Sequence, residues 1–90
     1  MNSKLNIVER DVNKNPRQIR QAGFIPVSLY GKNIEPKNLQ VNAHEFEMAS
    51  RNASEEWELN LGKEKFNATI QEIQKNYATE EILNIEFKAL

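Results

Sequence analysis

Three basic side chains near the amino terminus are spaced so that they could act together on an anion. Lys14, Arg17 and Arg20 lie within about two turns of an expected loop and helix. No acidic residue stands three or four positions from either arginine, so we expect both to be unpaired. The cations either form a solvated helix face or bind the phosphates of a polyanion. The pattern alone favours the two interpretations equally.

A tyrosine further along the chain offers a second polar contact. Tyr30 shares its strand parity with Ser28, opposite to Val27 and Leu29, which places it on the outer face of an expected strand. A core position would require a hydrogen-bond partner for the hydroxyl group. On an outer face the ring could stack on a base or ribose, or the hydroxyl could bond a phosphate.

Residues typical of enzymes are scarce. His44 is the only histidine, and a packing or solvent-exposed role is favoured for it over catalysis. The adjacent acids Glu55-Glu56 and Glu80-Glu81 indicate solvated surface, because neighbours in a strand point apart. The chain has no cysteine, which excludes disulfides, a thiolate nucleophile and a cysteine zinc site. We therefore expect no enzyme activity, no catalytic residue, no metal site and no cofactor.

The distribution of charge is more informative than its total. The formal net charge is −1, which argues against a polycation that coats nucleic acid or membrane without selectivity. Residues 1–40 carry seven basic and three acidic groups, a balance of +4, whereas residues 41–90 carry five basic and ten acidic groups, a balance of −5. A polyanionic partner is therefore expected at the first half. No apolar run approaches a membrane span and the start lacks a signal-peptide stretch, so we expect a cytoplasmic protein.

Short elements in a single domain over residues 1–90 must position these side chains. Alternation and turn signals predict six strands and two short helices. The first helix is expected over Pro16–Ala22, with Asn15 as its cap, Gly23 as its stop, and Ile19 and Ala22 facing inward. The second should begin at Asn42, bury Phe46 and Ala49 with help from Met48, and fade at Asn52.

The strand pattern contains a clear hairpin in the second half. Trp57, Leu59 and Leu61 alternate up to a Gly62-Lys63 turn, and Phe66, Ala68 and Ile70 alternate on the return, with Trp57 in the core. Residues 32–37 are expected to be a loop, and residues 74–81 a polar connection to the last strand. Closure of so many strands into a small barrel would remove their exposed edges.

Residues 17–32, RQIRQAGFIPVSLYGK, resemble the signature of the family of bacterial large-subunit ribosomal protein twenty-five and its Ctc general-stress relatives. That signature joins a basic helix to Gly-x-Ile-Pro and then Tyr-Gly. Residues 68–74 and 82–87 resemble the family's later strands, so the resemblance covers essentially the whole chain.

The resemblance implies a mainly β fold, a six-stranded barrel with two short α-helices. It also implies binding to the internal-loop region of 5S ribosomal RNA at the central protuberance of the large subunit. The implied partners are 5S rRNA and the large subunit, with no membrane, for a protein that is a monomer when free. The RNA-binding positions carried over onto this sequence are Arg10, Lys14, Arg17, Arg20, Tyr30, Gln71, Asn84 and Glu86.

Several positions depart from the family pattern. Gln18 replaces a cation, Asn84 stands at the usual histidine, and Glu86 at the usual aspartate. Glu80-Glu81 fall where the family tends to be basic. One alternative is therefore a ribosome-associated stress protein or protein-interaction module of the same fold with weakened RNA binding. Another is a barrel related to the anticodon domain of glutaminyl-tRNA synthetase.

Overall fold

Six strands and two helices make up the computed structural model, which describes residues 3–51 and 56–90. Their bounds are β1 Ser3–Glu9, α1 Pro16–Gln21, β2 Phe24–Gly31, β3 Ile34–Asn42, α2 Ala43–Ser50, β4 Trp57–Leu61, β5 Glu64–Asn76 and β6 Glu81–Ala89.

The strands close into a barrel in the order β1-β3-β2-β6-β5-β4. The pairs β1–β4 and β2–β6 are parallel, and the other four pairs are antiparallel. The predicted six-stranded barrel with two short helices is confirmed. Closure leaves none of these strands with an unpaired edge, which is the physical advantage expected for many short strands in a small chain.

The barrel interior is filled by the alternate residues of each strand. Its buried apolar side chains are Leu5, Ile7, Ile25, Val27, Leu29, Leu39, Val41, Phe46, Trp57, Leu59, Ala68, Ile85 and Phe87. Trp57 lies at the centre of an aromatic group, stacked on Phe46 at 5.4 Å between ring centroids and edge-on to Phe87 at 5.9 Å. The core position predicted for Trp57 is confirmed, and Phe46 brings α2 against the barrel core.

Both predicted helix caps are present. The side chain of Asn15 accepts from the amide of Gln18, whose own side chain accepts from the Asn15 amide, and Pro16 opens α1. Gly23 adopts a φ of 89°, a conformation that favours glycine after a helix. Asn42 caps α2 by accepting from the Glu45 amide.

Two helix packing predictions are wrong. Ile19 is buried, but Ala22 is exposed because the helix ends at Gln21 and Ala22 is its carboxyl-terminal cap. Phe46 is buried and Ala49 is half-buried, whereas Met48 is 47% exposed on the outer side of α2. The predicted end of α2 at Asn52 lies outside the described residues.

The predicted loop at residues 32–37 is wrong as well. Gly31 pairs with Ile34 across a two-residue turn, and β3 continues from there, with Lys37 paired to Leu29. The preceding strand offers a complete ladder of backbone hydrogen bonds, so a polar sequence without clear alternation is recruited into the sheet.

The predicted polar connection after β5 is shorter than expected. Gln74 pairs with Asn84 and Asn76 pairs with Glu81, so the strand runs to Asn76. Only residues 77–80 form the turn, where Glu80 takes a φ of 61° and its amide donates to the Asn76 carbonyl at 2.7 Å. The Gly62-Lys63 turn predicted between β4 and β5 is confirmed by the pairing of Leu61 with Glu64.

Candidate nucleic-acid interface

One outer surface of the barrel, formed by β2, β6 and β5, carries three of the predicted site residues on neighbouring strands. Tyr30 pairs with Lys88, and Glu86 is paired on one side with Ser28. Asn84 pairs with Gln74 on β5. These positions alternate with buried ones such as Val27, Leu29, Ile85 and Phe87, so the side chains lie on the outside, and Tyr30, Asn84 and Glu86 are each half-buried there. The outward position predicted for Tyr30 is confirmed.

Gln71 lies at a bulge beside this surface. Ile70 pairs with Phe87 and Glu72 pairs with Glu86, so Gln71 is an extra residue with no partner of its own on β6. It is exposed. A β-bulge redirects side chains and increases local twist, and such bulges are frequent near functional sites. The sequence carries no signal for this bulge, because it arises from the register between two strands.

Lys14 and Arg17 extend freely from the segment before β2. Both side chains are exposed, Lys14 in the turn that follows β1 and Arg17 on α1. The Lys14 amide donates to the carbonyl of Asp11, which closes that turn. Their positions suit contacts with phosphates from solvent.

Arg20 differs from the other two cations. Its Nε lies 3.7 Å from a carboxylate oxygen of Glu81, with the arginine side chain 21% exposed and the glutamate 51% exposed. The expectation that both arginines are unpaired is therefore wrong for Arg20. The acid comes from the start of β6, far away in the sequence, and no local spacing rule could have identified it. The pair shows that α1 lies beside the amino-terminal end of β6.

Arg10 makes contacts within the fold. Its Nε donates to the carbonyl of Leu39 at 3.3 Å, and its Nη2 donates to the carbonyl of Val27 at 3.2 Å. Partial burial lowers the pKa of the guanidinium from its usual value, because desolvation disfavours the charged form. The guanidinium thus ties the end of β1 to β3 and β2, a role that the sequence did not indicate.

The charge of the outer surface is mixed. Glu86 lies directly opposite Glu72 across the β5–β6 pair, and like charges in that position repel. Lys88, beside Tyr30, is the basic residue nearest to that pair along β6. Lys14, Arg17 and Lys88 thus present exposed cations, whereas the strands also carry amide, hydroxyl and carboxylate groups, which are able to form hydrogen bonds with base and sugar edges.

Residues 3–51 and 56–90 contain no cluster of three or more histidine, cysteine, aspartate or glutamate side chains that could hold a metal ion. Within the same ranges, no helix is both long and apolar enough to cross a membrane. His44 is exposed on α2.

The sequence matches the model of a known protein family over most of its length. A family model described as the Ribosomal L25p family matches residues 5–87. The chain belongs to this family. The match begins in β1 and ends in β6, so it includes every strand of the barrel and both helices.

Three individual proteins are also similar to this chain in sequence. The chain is 32% identical over 82 residues to a protein from Roseiflexus castenholzii named large ribosomal subunit protein bL25, covering 88% of this chain and 38% of that protein. It is 34% identical over 70 residues to the protein of that name from Kocuria rhizophila, covering 78% and 33%. For the Geobacillus thermodenitrificans protein of that name the identity is 30% over 76 residues, covering 82% and 36%. The chain thus spans about a third of the length of these relatives.

Proposed function

We propose that this chain is a structural component of the bacterial large ribosomal subunit that binds the internal-loop region of 5S rRNA at the central protuberance. Membership of the L25p family supports the proposal, as do relatives named as large-subunit proteins. The RNA-binding residues of the proposal are the eight positions that the family resemblance carries over onto this sequence.

The observation that carries the proposal is a single surface with two parts, a polar part on the strands β2, β6 and β5 and a cationic part on α1. Tyr30, Asn84 and Glu86 lie on the outside of adjacent strands, with Gln71 at the neighbouring bulge. The contact between Arg20 and Glu81 places α1 at one end of β6, so its cations are next to the same strands.

The two parts have separate roles in the proposed mechanism. A-form RNA presents a deep, narrow major groove whose base edges side chains reach poorly, so phosphates are the accessible contacts along a regular duplex. Lys14, Arg17 and Arg20 bind these phosphates and supply affinity. An internal loop reshapes the groove, and there Tyr30 and Gln71 reach base and sugar edges and supply selectivity.

Filter binding with 5S rRNA and with tRNA at two salt concentrations tests the proposal. Three phosphate contacts predict that log K falls against log salt with a slope of about −3 on the duplex scale. Arg17→Gln should make the slope of log K against log salt less negative by about one, and it should weaken binding to both RNAs. Lys63→Gln is the matched control, because Lys63 is an exposed cation in the β4–β5 turn.

Selectivity requires a second set of variants. Tyr30→Ala and Gln71→Ala should reduce the preference for 5S rRNA over tRNA while leaving the salt slope unchanged, because neither residue is a cation. If wild-type protein shows no saturable, salt-dependent binding to 5S rRNA, the proposal is wrong. Equal affinity for 5S rRNA and tRNA would refute the proposed selectivity for 5S rRNA, but not RNA binding itself.

A second candidate is a ribosome-associated stress protein or protein-interaction module with weakened RNA binding. The pairing of Arg20 with Glu81 and the apposition of Glu86 and Glu72 favour it, since both reduce the attraction for phosphate. Sucrose-gradient fractionation after a high-salt wash distinguishes the two. A constitutive component remains with the large subunits, whereas a weakly bound module is released.

A further inference from the structure

A cleft of about 330 Å³ lies between α2, the start of β2 and the β5–β6 turn. Of the proposed RNA contacts, only Arg20 lines it, and there Arg20 faces Glu81. Its floor is apolar and is formed by Phe24, Ile25, Ala43, Phe46 and Ile82. The volume falls within the range of small-ligand sites and accommodates one large apolar side chain with its neighbouring backbone. Phe46 also stacks on Trp57, so this floor is continuous with the barrel core.

The rim of the cleft is predominantly acidic. Glu47, Glu80 and Glu81 line it, and Arg20 is the one cation among its lining residues. Arg20 already faces Glu81, and Arg51 lies 3.4 Å from Glu47. Among the described residues, the carboxylate of Glu80 has no ion-pair partner.

Glu80 also has an unusual backbone conformation. Its φ of 61° is in the left-handed region, which non-glycine residues rarely adopt. The hydrogen bond from its amide to Asn76 holds it there, at the edge of the cleft.

We propose that this cleft docks a basic peptide segment of a partner protein, with one large apolar side chain inserted on Phe46 and Ile82 and flanking lysines or arginines at Glu47 and Glu80. Charge complementarity selects this occupant. A nucleic acid or an acidic peptide would meet three carboxylates, of which Glu47 and Glu81 already face arginines, whereas a cationic segment gains most from the carboxylate of Glu80. Burial of the apolar side chain stabilises the bound peptide. The flanking cations orient the peptide and make the cleft selective for basic segments.

An NMR titration of the ¹⁵N-labelled chain tests the proposal without any RNA, so its outcome is independent of the proposed function. The probe is the blocked pentapeptide Lys-Lys-Phe-Lys-Lys. Saturable shifts should appear at the amides of Phe46 and Ile82 and at the β5–β6 turn. Replacing the phenylalanine of the probe by serine should weaken binding about tenfold, because its burial is lost. The probe Glu-Glu-Phe-Glu-Glu should produce no saturable shifts.

Two variants localise the site on the protein. Ala43→Leu fills the cleft and should abolish binding of the phenylalanine probe, and Glu80→Lys should weaken it at least threefold. Glu64→Lys is the matched control, since Glu64 is an exposed acid at the start of β5 and does not line the cleft. Ala43→Leu could disturb the fold, which would reduce the dispersion of its NMR spectrum. In that case the comparison of Glu80→Lys with Glu64→Lys tests whether the peptide binds at the cleft.

Three results would overturn the proposal. Equal affinities for the phenylalanine and serine probes would indicate nonspecific charge attraction. Equal effects of Glu80→Lys and Glu64→Lys would place binding elsewhere. Shifts at the cleft that depend on protein concentration without peptide, and that Ala43→Leu removes, would show that a second copy of the chain occupies it.

Discussion

Three arginines of the first half show how one residue type acquires different roles from its surroundings. Arg17 is exposed, Arg20 faces Glu81, and Arg10 donates to two backbone carbonyls from a partly desolvated position. Because the planar guanidinium presents several donors in a fixed fork, it can satisfy two carbonyls at once. The family resemblance implies that all three contact RNA, but within the described part of the chain only Arg17 makes no side-chain hydrogen bond or ion pair.

Arg10→Lys should lower the free energy of unfolding by about 1 kcal/mol, because a lysine ammonium cannot reproduce both hydrogen bonds to the carbonyls of Val27 and Leu39. Urea denaturation measures the change. Arg17→Lys is the control and should stay within about 0.5 kcal/mol of the parent protein. Indistinguishable stabilities for the two variants would contradict the structural role of Arg10.

Glu81→Gln should raise the affinity for 5S rRNA about two- to fivefold, because it releases Arg20 from a partly exposed ion pair of the kind that contributes about 0–1 kcal/mol. The same filter-binding assay measures the effect at low salt. Glu64→Gln removes an equal charge at the opposite end of β5 and should change affinity less. An unchanged affinity for Glu81→Gln would show that Arg20 does not reach the RNA.

At the scale of elements, α1 depends on contacts beyond its own backbone. It has only six residues, and isolated helices of that length are unstable in water. Its capping box and the burial of Ile19 hold it against the barrel. The positions of Arg17 and Arg20 therefore depend on Asn15 as much as on their own side chains.

Asn15→Ala should cost about 1 kcal/mol of stability through loss of the cap, and should weaken binding to 5S rRNA and tRNA alike by loosening α1. Asn42→Ala is a matched control, because Asn42 caps α2 in the same way. Thermal denaturation should show similar losses for both variants, whereas filter binding should show a loss for Asn15→Ala only. Equal losses of RNA affinity would indicate that α1 has no direct role.

At the scale of the whole molecule, barrel closure depends on the parallel pairing of β2 with β6, which joins the two halves of the chain. At the carboxyl-terminal end of this strand pair, Gly31 lies against Ala89. A Cβ atom there would lie 2.9 Å from the Cβ of Ala89 and 3.5 Å from its carbonyl oxygen. The absence of a side chain at residue 31 thus permits this end of the barrel to close.

Gly31→Ala should destabilise the fold by about 1–3 kcal/mol, the usual cost of an added methyl group in a tightly packed position. Adding Ala89→Gly removes the nearest opposing atom and should restore part of the loss, although glycine in a strand has its own cost. Urea denaturation of both single variants and the double variant measures the coupling between the two sites. Simple additivity would contradict the steric argument.

The sequence by itself determined the features that depend on neighbours along the chain. Asn15 and Pro16 specify the start of α1, alternation specifies the inward residues of β4 and β6, and Gly62-Lys63 specifies a turn. The motif resemblance also located the signature positions, and the parity of Tyr30 predicted its outward position. Each of these signals acts over a few residues, which is the range in which caps, turns and strand alternation operate.

Strand lengths, strand register and side-chain partners that involve residues far apart in the chain were decided only by the tertiary structure. Pairing with β2 and β6 extended β3 and β5 into segments whose composition suggests loops, and the register of β5 on β6 created the bulge at Gln71. Barrel closure also brings Arg20 into an ion pair with Glu81 and allows Arg10 to donate hydrogen bonds to two backbone carbonyls. A polar side chain takes the partner that the fold brings within reach, and in a closed barrel that partner comes from a strand that is distant in sequence.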